Sequence, residues 1–286
     1  MDFGFTKWQG CGNDFVIVDC FKEKIETYDI VAKEVCDRHY GIGADGLILV
    51  LPSDKADFQM RIFNTDGSEA EMCGNGIRCF ARYVYEAGRT RKKIFSIETG
   101  AGILTPEIIL LKDKVQMIRV DMGKPILTAG DIPVAGFGKE RVIAEPLEVL
   151  GETYKMTCVS MGNPHCVIFV DDILQVDLDK IGPAFETNVA FPRKVNTEFV
   201  EVKDRTHMRM RVWERGAAVT LACGTGSCAT LVAAVLNDKT EHKAEITLDG
   251  GTLVVEWAEN GRIYMTGPAE KVFTGKYQKN KKSINK

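Results

Sequence analysis

Cys73-Gly74-Asn75-Gly76 and Cys223-Gly224-Thr225-Gly226 are two copies of one pattern, 150 positions apart in the chain. Two further pairs of segments share this offset: Met60–Phe63 with Met210–Trp213, and Gly12-Asn13 with Gly162-Asn163. Matches at one fixed offset indicate an internal duplication. Because two copies are too few for a solenoid, the repeat predicts two domains related by a pseudo-twofold axis.

A helical pattern follows each of the two cysteines. Apolar residues recur at helical spacing, and they are Ile77, Phe80, Ala81, Val84 and Tyr85 in the first copy and Cys228, Leu231, Val232, Val235 and Leu236 in the second. Arg78, Arg82 and Glu86 are predicted to form a polar edge on the first helix. The second helix is apolar nearly all round and is predicted to be buried.

The rest of the chain is rich in strand patterns. Short or alternating apolar runs bounded by glycine, asparagine and aspartate recur throughout. Another helix is predicted over 29–40, with Gly41 as its stop. Many strands and few helices favour an α/β (α+β) fold, in which mixed sheets wrap around a small number of helices. The glycines and proline of 121–131 predict the domain boundary there.

Composition limits the classes of protein to consider. The chain has 286 residues, 45% of them hydrophobic and 27% charged, with a formal net charge of −3. These values are typical of a globular protein and give no electrostatic reason to expect nucleic acid or a membrane surface as a partner. No apolar run reaches the roughly 18 residues that a membrane helix needs, and the first residues lack a signal-peptide pattern.

The cysteines support a reducing compartment. There are nine of them, and an odd number without an export signal favours free thiols in the cytoplasm. No pair has the two-residue spacing of a zinc knuckle, so we expect no metal site.

Cys73 and Cys223 are each predicted at the start of a helix, where unpaired backbone N–H groups carry about half a positive charge. This position stabilises a thiolate and lowers the pKa of a thiol. The adjacent glycines allow a carboxylate to approach the N–H groups. Each thiol is therefore a candidate nucleophile, redox group or base.

Two such thiols related by a twofold axis suit the inversion of a stereocentre. One group removes a proton from one face of a carbon, and the second group delivers a proton to the other face. The two helix N-termini would stabilise the carboxylate while the α-carbon carries negative charge. Such a site needs no pyridoxal phosphate, and we see no clear phosphate-binding or Schiff-base motif for one.

At these residues the sequence resembles the diaminopimelate epimerase family, whose members are pyridoxal-phosphate-independent. The matching stretches are residues 12–15, 41–46, 63–79, 162–165, 196–199, 214–216 and 222–226. They follow the order of the family and cover nearly the whole chain.

The resemblance implies two similar halves, each a curved mixed sheet around a central helix. It places the first half at 1–122, joined by a returning strand at about 267–275, and the second half at 123–266. The lysine-rich composition of 276–286 predicts a polar tail there. The resemblance further implies a homodimer that needs no cofactor and interconverts LL- and meso-diaminopimelate, a step toward lysine and cell-wall precursors.

The resemblance also assigns roles to residues. Cys73 and Cys223 would be the acid/base pair. The N–H groups of Gly74, Asn75, Gly224 and Thr225 would hold the reacting carboxylate, with Asn13 nearby. Asn64, Asn163, Asn196 and Arg215 would hold the distal carboxylate, and Glu214 the distal ammonium. We expect His165 to be a packing residue.

One departure from the family leaves alternatives open. Many members continue Gly-Glu-Thr where this chain has Ala218-Val219-Thr220, which affects the expected substrate more than the reaction. The alternatives are a related racemase for a histidine or proline-type substrate, and a non-catalytic amino-acid-binding protein. A phenazine-type isomerase of similar fold would lack the paired cysteines.

Overall fold

The computed structural model describes residues 2–138 and 140–278. Its strands are β1 (Asp2–Gly10), β2 (Asn13–Asp19), β3 (Gly46–Leu51), β4 (Phe58–Asn64), β5 (Glu69–Ala70), β6 (Ile97–Thr99), β7 (Gly102–Leu104), β8 (Glu107–Leu111), β9 (Lys114–Asp121), β10 (Glu145–Val149), β11 (Glu152–Ser160), β12 (Pro164–Phe169), β13 (Asn196–Asp204), β14 (His207–Glu214), β15 (Ala218–Thr220), β16 (Lys243–Leu248), β17 (Gly251–Trp257), β18 (Ile263–Gly267) and β19 (Glu270–Gln278). The helices are α1 (Tyr28–Cys36), α2 (Gly74–Glu86), α3 (Leu178–Glu186) and α4 (Gly224–Leu236), with a 3₁₀ turn at Ile173–Gln175.

The chain divides into two compact units. The first comprises Met1–Val120 and Pro268–Lys286, and the second comprises Asp121–Gly267. The final strand, β19, pairs antiparallel with β1 and so belongs to the first unit. None of the helices in the described residues is long and apolar enough to span a membrane.

The first unit is a mixed sheet with one long helix against it. Its strands lie in the order β19-β1-β2-β3-β4-β6-β7, and β5 pairs with β4. The β2/β3 and β4/β6 pairs are parallel. The connection between the two strands of a parallel pair must cross over the sheet, and these two connections contain α1 and α2. Helix α2 packs on strands β1 to β4.

The second unit repeats this arrangement. Its strands lie in the order β10-β11-β12-β13-β14-β16-β17-β18, and β15 pairs with β14. The parallel pairs are now β12/β13 and β14/β16, and α4 packs on the strands as α2 does. The bounds of α4 are those of α2 displaced by the repeat offset. The predicted fold class, mixed sheets around a few helices, is confirmed.

Turn geometry places one candidate residue in the first unit. Cys11 and Gly12 form the two-residue turn between β1 and β2, with φ of 52° and 81°. Positive φ at both positions is the type I′ geometry that matches strand twist, and Gly adopts it without strain. Asn13 therefore begins β2 directly after the turn.

Three sequence predictions differ from the structure. Arg78 is fully buried rather than part of a polar edge. Helix α1 ends at Cys36, before the predicted stop, because the Asp37 carboxylate accepts the N–H groups of His39 and Tyr40 and turns the chain. Strand β19 continues to Gln278, past the predicted start of the polar tail, and the remainder of that tail lies outside the described residues.

Candidate active site

Each candidate cysteine caps the helix that follows it. Cys73 has extended backbone angles, and its Sγ accepts the N–H of Gly76 at 3.4 Å. Cys223 does the same with Gly226, also at 3.4 Å. Each sulfur therefore takes the place of the usual N-cap oxygen, at the positive end of its helix.

The glycine three residues after each cysteine lies close against a side chain of the sheet, and more closely in the second unit. A Cβ at Gly76 would lie 3.2 Å from Cδ1 of Ile48, and a Cβ at Gly226 would lie 2.6 Å from Oε1 of Glu198. These glycines bring the first turn of each helix onto the sheet. The bare N–H groups expected to hold a carboxylate belong to the residues before them, in the first helical turn.

In the first unit, two asparagines surround the sulfur. The Cys73 thiol donates to Oδ1 of Asn13, 3.6 Å away, and Nδ2 of Asn75 donates to the same oxygen at 3.2 Å. The structure thus brings together three of the predicted site residues. Asn64 lies at the end of β4, where its Nδ2 donates to Ser68 Oγ at 3.0 Å.

In the second unit, carboxylates surround the sulfur. The Glu214 carboxylate accepts the Thr220 hydroxyl, and its charge acts on the Cys223 thiol. Burial raises the pKa of Glu214. Burial, followed by the charges of Glu214 and Glu198, raises the pKa of Cys223 well above its usual range. The prediction of a lowered pKa is therefore wrong for Cys223, because desolvation and two acidic neighbours outweigh the helix N-terminus.

The remaining predicted residues of this unit lie in the first turn of α4, on loops and at a strand end. Thr225 Oγ1 lies 3.6 Å from the Cys223 sulfur, and Gly224 is buried beside it. Asn196, the first residue of β13, connects the start of β12 to the residue after β14. Its Nδ2 donates to the carbonyl of Pro164 at 2.8 Å, and its Oδ1 accepts the N–H of Arg215 at 2.9 Å.

A buried ionisable pair lies next to these residues, and the sequence reasoning did not single it out as a pair. His165 and Glu198 are both fully buried, with Nδ1 and Oε1 2.7 Å apart. The other ring nitrogen of His165 lies 3.0 Å from Oδ1 of Asn163. Glu198 is a carboxylate directly before the apolar residues Phe199 and Val200 of β13, and that position was the available signal.

Among residues 2–138 and 140–278, no cluster of three or more His, Cys, Asp or Glu side chains is arranged to hold a metal ion.

Comparison with known proteins gives a consistent family. The family model described as diaminopimelate epimerase matches residues 5–128 and 157–272. The diaminopimelate epimerase of Acetivibrio thermocellus is 54% identical over 277 residues, which is 96% of this chain and 99% of that protein. The diaminopimelate epimerase of Agathobacter rectalis is 55% identical over 278 residues, covering 95% of this chain and 98% of the relative.

Solved structures share the fold at low sequence identity. A PhzF-family phenazine biosynthesis protein of Bacillus anthracis has a TM-score of 0.71 at 18% identity, covering 97% of this chain and 99% of that one. A hydroxyproline epimerase of Agrobacterium vitis has a TM-score of 0.68 at 11% identity, covering 96% and 92%. At such identities the likeness supports the fold alone.

Proposed function

Because the chain belongs to the diaminopimelate epimerase family, we propose that it interconverts LL- and meso-2,6-diaminopimelate by a two-base reaction of Cys73 and Cys223. The observation that carries this proposal is the paired capping geometry. Each unit contributes one thiol at a helix N-terminus, with an oxygen acceptor beside the sulfur.

The two sulfurs differ in what accepts their protons. Cys73 donates to the neutral carbonyl of Asn13, whereas the group that acts most strongly on Cys223 is the carboxylate of Glu214. A carbonyl cannot take the proton, but a carboxylate with a raised pKa can. We therefore assign Cys223 with Glu214 as the resting base and Cys73 as the resting acid.

In one direction, the Cys223 sulfur takes the α-proton while its own S–H proton passes to Glu214. The electron pair of the broken C–H bond remains on the α-carbon and accepts the S–H proton of Cys73 on the opposite face. Cys73 is left as a thiolate, and Glu214 is left protonated. The reverse direction uses the same groups with exchanged roles.

The substrate carboxylates require separate anion sites. The N–H groups of Gly74, Asn75, Gly224 and Thr225 lie in first helical turns and would hold the reacting carboxylate as negative charge develops. Asn64, Asn163, Asn196 and Arg215 remain our proposal for the distal carboxylate. We assign Glu214 to Cys223 rather than to the distal ammonium, because its charge acts on the thiol and its carboxylate already accepts the Thr220 hydroxyl.

A homodimer in the cytoplasm completes the proposal. None of the nine cysteines, all of which lie in the described residues, forms a disulfide, and this suits a reducing compartment. The dimer rests on family membership and would be checked by light scattering.

Incubation with LL-diaminopimelate in deuterated water tests the reaction. We expect deuterium at the α-carbon and formation of the meso isomer. Cys73→Ser and Cys223→Ser should each lose activity, whereas Cys20→Ser, which lies outside the site, should keep it. Exchange with another amino acid but none with diaminopimelate would indicate a related racemase instead.

A further inference from the structure

A continuous run of hydrogen bonds joins a buried arginine to a carboxylate and passes beside Cys73. Nη2 of Arg78 donates to Oδ1 of Asn75 at 2.8 Å. Nδ2 of Asn75 donates to Oδ1 of Asn13 at 3.2 Å, and Nδ2 of Asn13 donates to Oδ2 of Asp45 at 2.7 Å. The Cys73 thiol donates to one of these groups, Oδ1 of Asn13.

The charged ends fix the direction of both amides. A guanidinium only donates hydrogen bonds, and a carboxylate only accepts them. Asn75 must therefore turn its oxygen toward Arg78, and Asn13 must turn its nitrogen toward Asp45. Rotating either amide alone by 180° would set two donors or two acceptors against each other. As a result, Asn13 presents its oxygen to the sulfur, and not its N–H groups.

The two ends are held by independent contacts. Arg78 is fully buried, and it also donates to the carbonyls of Gly74 at 3.0 Å and Pro268 at 3.1 Å. Asp45 is 42% exposed at its side chain and pairs with Arg38 at 2.7 Å. The run thus begins at a group that packing immobilises and ends at a partly exposed carboxylate that also accepts the N–H of Asp14 at 3.0 Å.

We propose that Arg78 and Asp45 are positioning residues that hold the Asn13 carbonyl toward Cys73. The proposal rests on the proposed function, in which Cys73 is the resting acid. A carbonyl beside the sulfur accepts S–H and favours the thiol, whereas an N–H there would favour the thiolate. The run therefore keeps the proton on Cys73 until it is transferred to the α-carbon.

Alkylation of Cys73 by iodoacetamide as a function of pH tests the proposal, with the Cys73 peptide quantified by mass spectrometry. The variants are Asp45→Asn, Arg78→Gln and the double variant. Amides can donate or accept, so only the double variant removes both of the charged groups that fix the direction of the run. We expect its alkylation midpoint to fall by about one pH unit, with each single variant moving by about 0.3 unit or less.

This set of variants distinguishes the effect of amide orientation on the Cys73 midpoint from the effect of charge. Loss of Asp45 removes a negative charge and loss of Arg78 removes a positive one, so the double variant keeps the local net charge. If charge alone set the midpoint, the double variant would return to the wild-type value, and that result would overturn the proposal. Asp57→Asn changes a carboxylate bonded to Lys92 and Ser96 instead, and it should leave the midpoint unchanged.

A wild-type measurement keeps the test decisive if Arg78→Gln does not fold. In protein with ¹⁵N-labelled asparagine, the Asn13 side-chain amide protons should shift as Asp45 titrates. If they shifted with ionisation of Cys73 and not with Asp45, the N–H groups would face the sulfur and the proposal would be wrong. Neither readout uses the substrate, so failure here is distinct from failure of the deuterium-exchange experiment.

Discussion

Glu198 in β13 occupies the position of the repeat that Ile48 occupies in β3. Each side chain is fully buried and lies against the glycine of the first turn of its helix. The partner of Glu198 is His165, and the residue at the repeat position of His165 is Phe15, also buried. One unit therefore has an ionisable pair where the other has an apolar pair of residues. The two units thus share a fold but differ in the buried residues beside their cysteines, with Glu198 acting on Cys223.

Replacing the ionisable pair with its apolar counterpart tests this relationship. His165→Phe or Glu198→Ile alone leaves one buried polar group without its partner, which should cost about 3–5 kcal/mol of unfolding free energy. The double variant recreates the Phe15–Ile48 pair and should recover at least about 2 kcal/mol of that loss. Urea denaturation of the wild type, the two single variants and the double variant gives the double-mutant cycle.

The same double variant should fold but epimerise poorly, since Asn163 loses the ring nitrogen that it faces. Additive destabilisation in the double variant would show that the two side chains are not energetically coupled. An active, stable double variant would remove His165 and Glu198 from any functional role.

Glu214 should make the stability of the protein depend on pH. Burial raises the pKa of this carboxyl in the folded protein, so folding favours its protonated form. The stability that it contributes is present below its unfolded pKa and is lost as the pH rises through the folded pKa. Glu214→Gln should therefore be more stable than wild type at neutral pH, with the difference vanishing in acid.

Melting temperatures measured between pH 4 and pH 8 would show this convergence. Although the Glu214→Gln variant should be more stable at neutral pH, its activity should fall, because glutamine cannot take the Cys223 proton. Glu152→Gln, at the exposed start of β11, is the control and should show no such pH dependence. A Glu214→Gln variant that is less stable at every pH would contradict the assignment.

Local patterns predicted the repeat, the helices that begin after the two cysteines and the fold class, because periodicity and glycine placement are local properties. The surroundings of those helices depend on distant segments. Arg78 was predicted to face solvent, yet one of its acceptors is the carbonyl of Pro268, 190 positions away. No pattern within the helix encodes that partner, and the same holds for the approach of Glu214 to Cys223.

Ala218 begins β15 with φ of 60°, in the left-handed region that favours glycine. Ala218→Gly should relieve about 1 kcal/mol of backbone strain, partly offset by the greater freedom of glycine in the unfolded chain. We expect a small net rise in melting temperature, while Ala217→Gly, at a residue without positive φ, should lower it. Equal effects of the two substitutions would show that Ala218 is not strained.

The helix-start glycines should tolerate a methyl group unequally. A Cβ at Gly226 would lie 2.6 Å from the Glu198 carboxylate, which is fixed by His165, whereas a Cβ at Gly76 would lie 3.2 Å from the end of an isoleucine side chain. Overpacking costs about 1–3 kcal/mol, and alanine regains up to about 1 kcal/mol through helix propensity. Gly226→Ala should therefore be clearly destabilising and Gly76→Ala nearly neutral in urea denaturation. The reverse order would mean that the Glu198 side chain moves more easily than that of Ile48, and that the buried pair does not hold it.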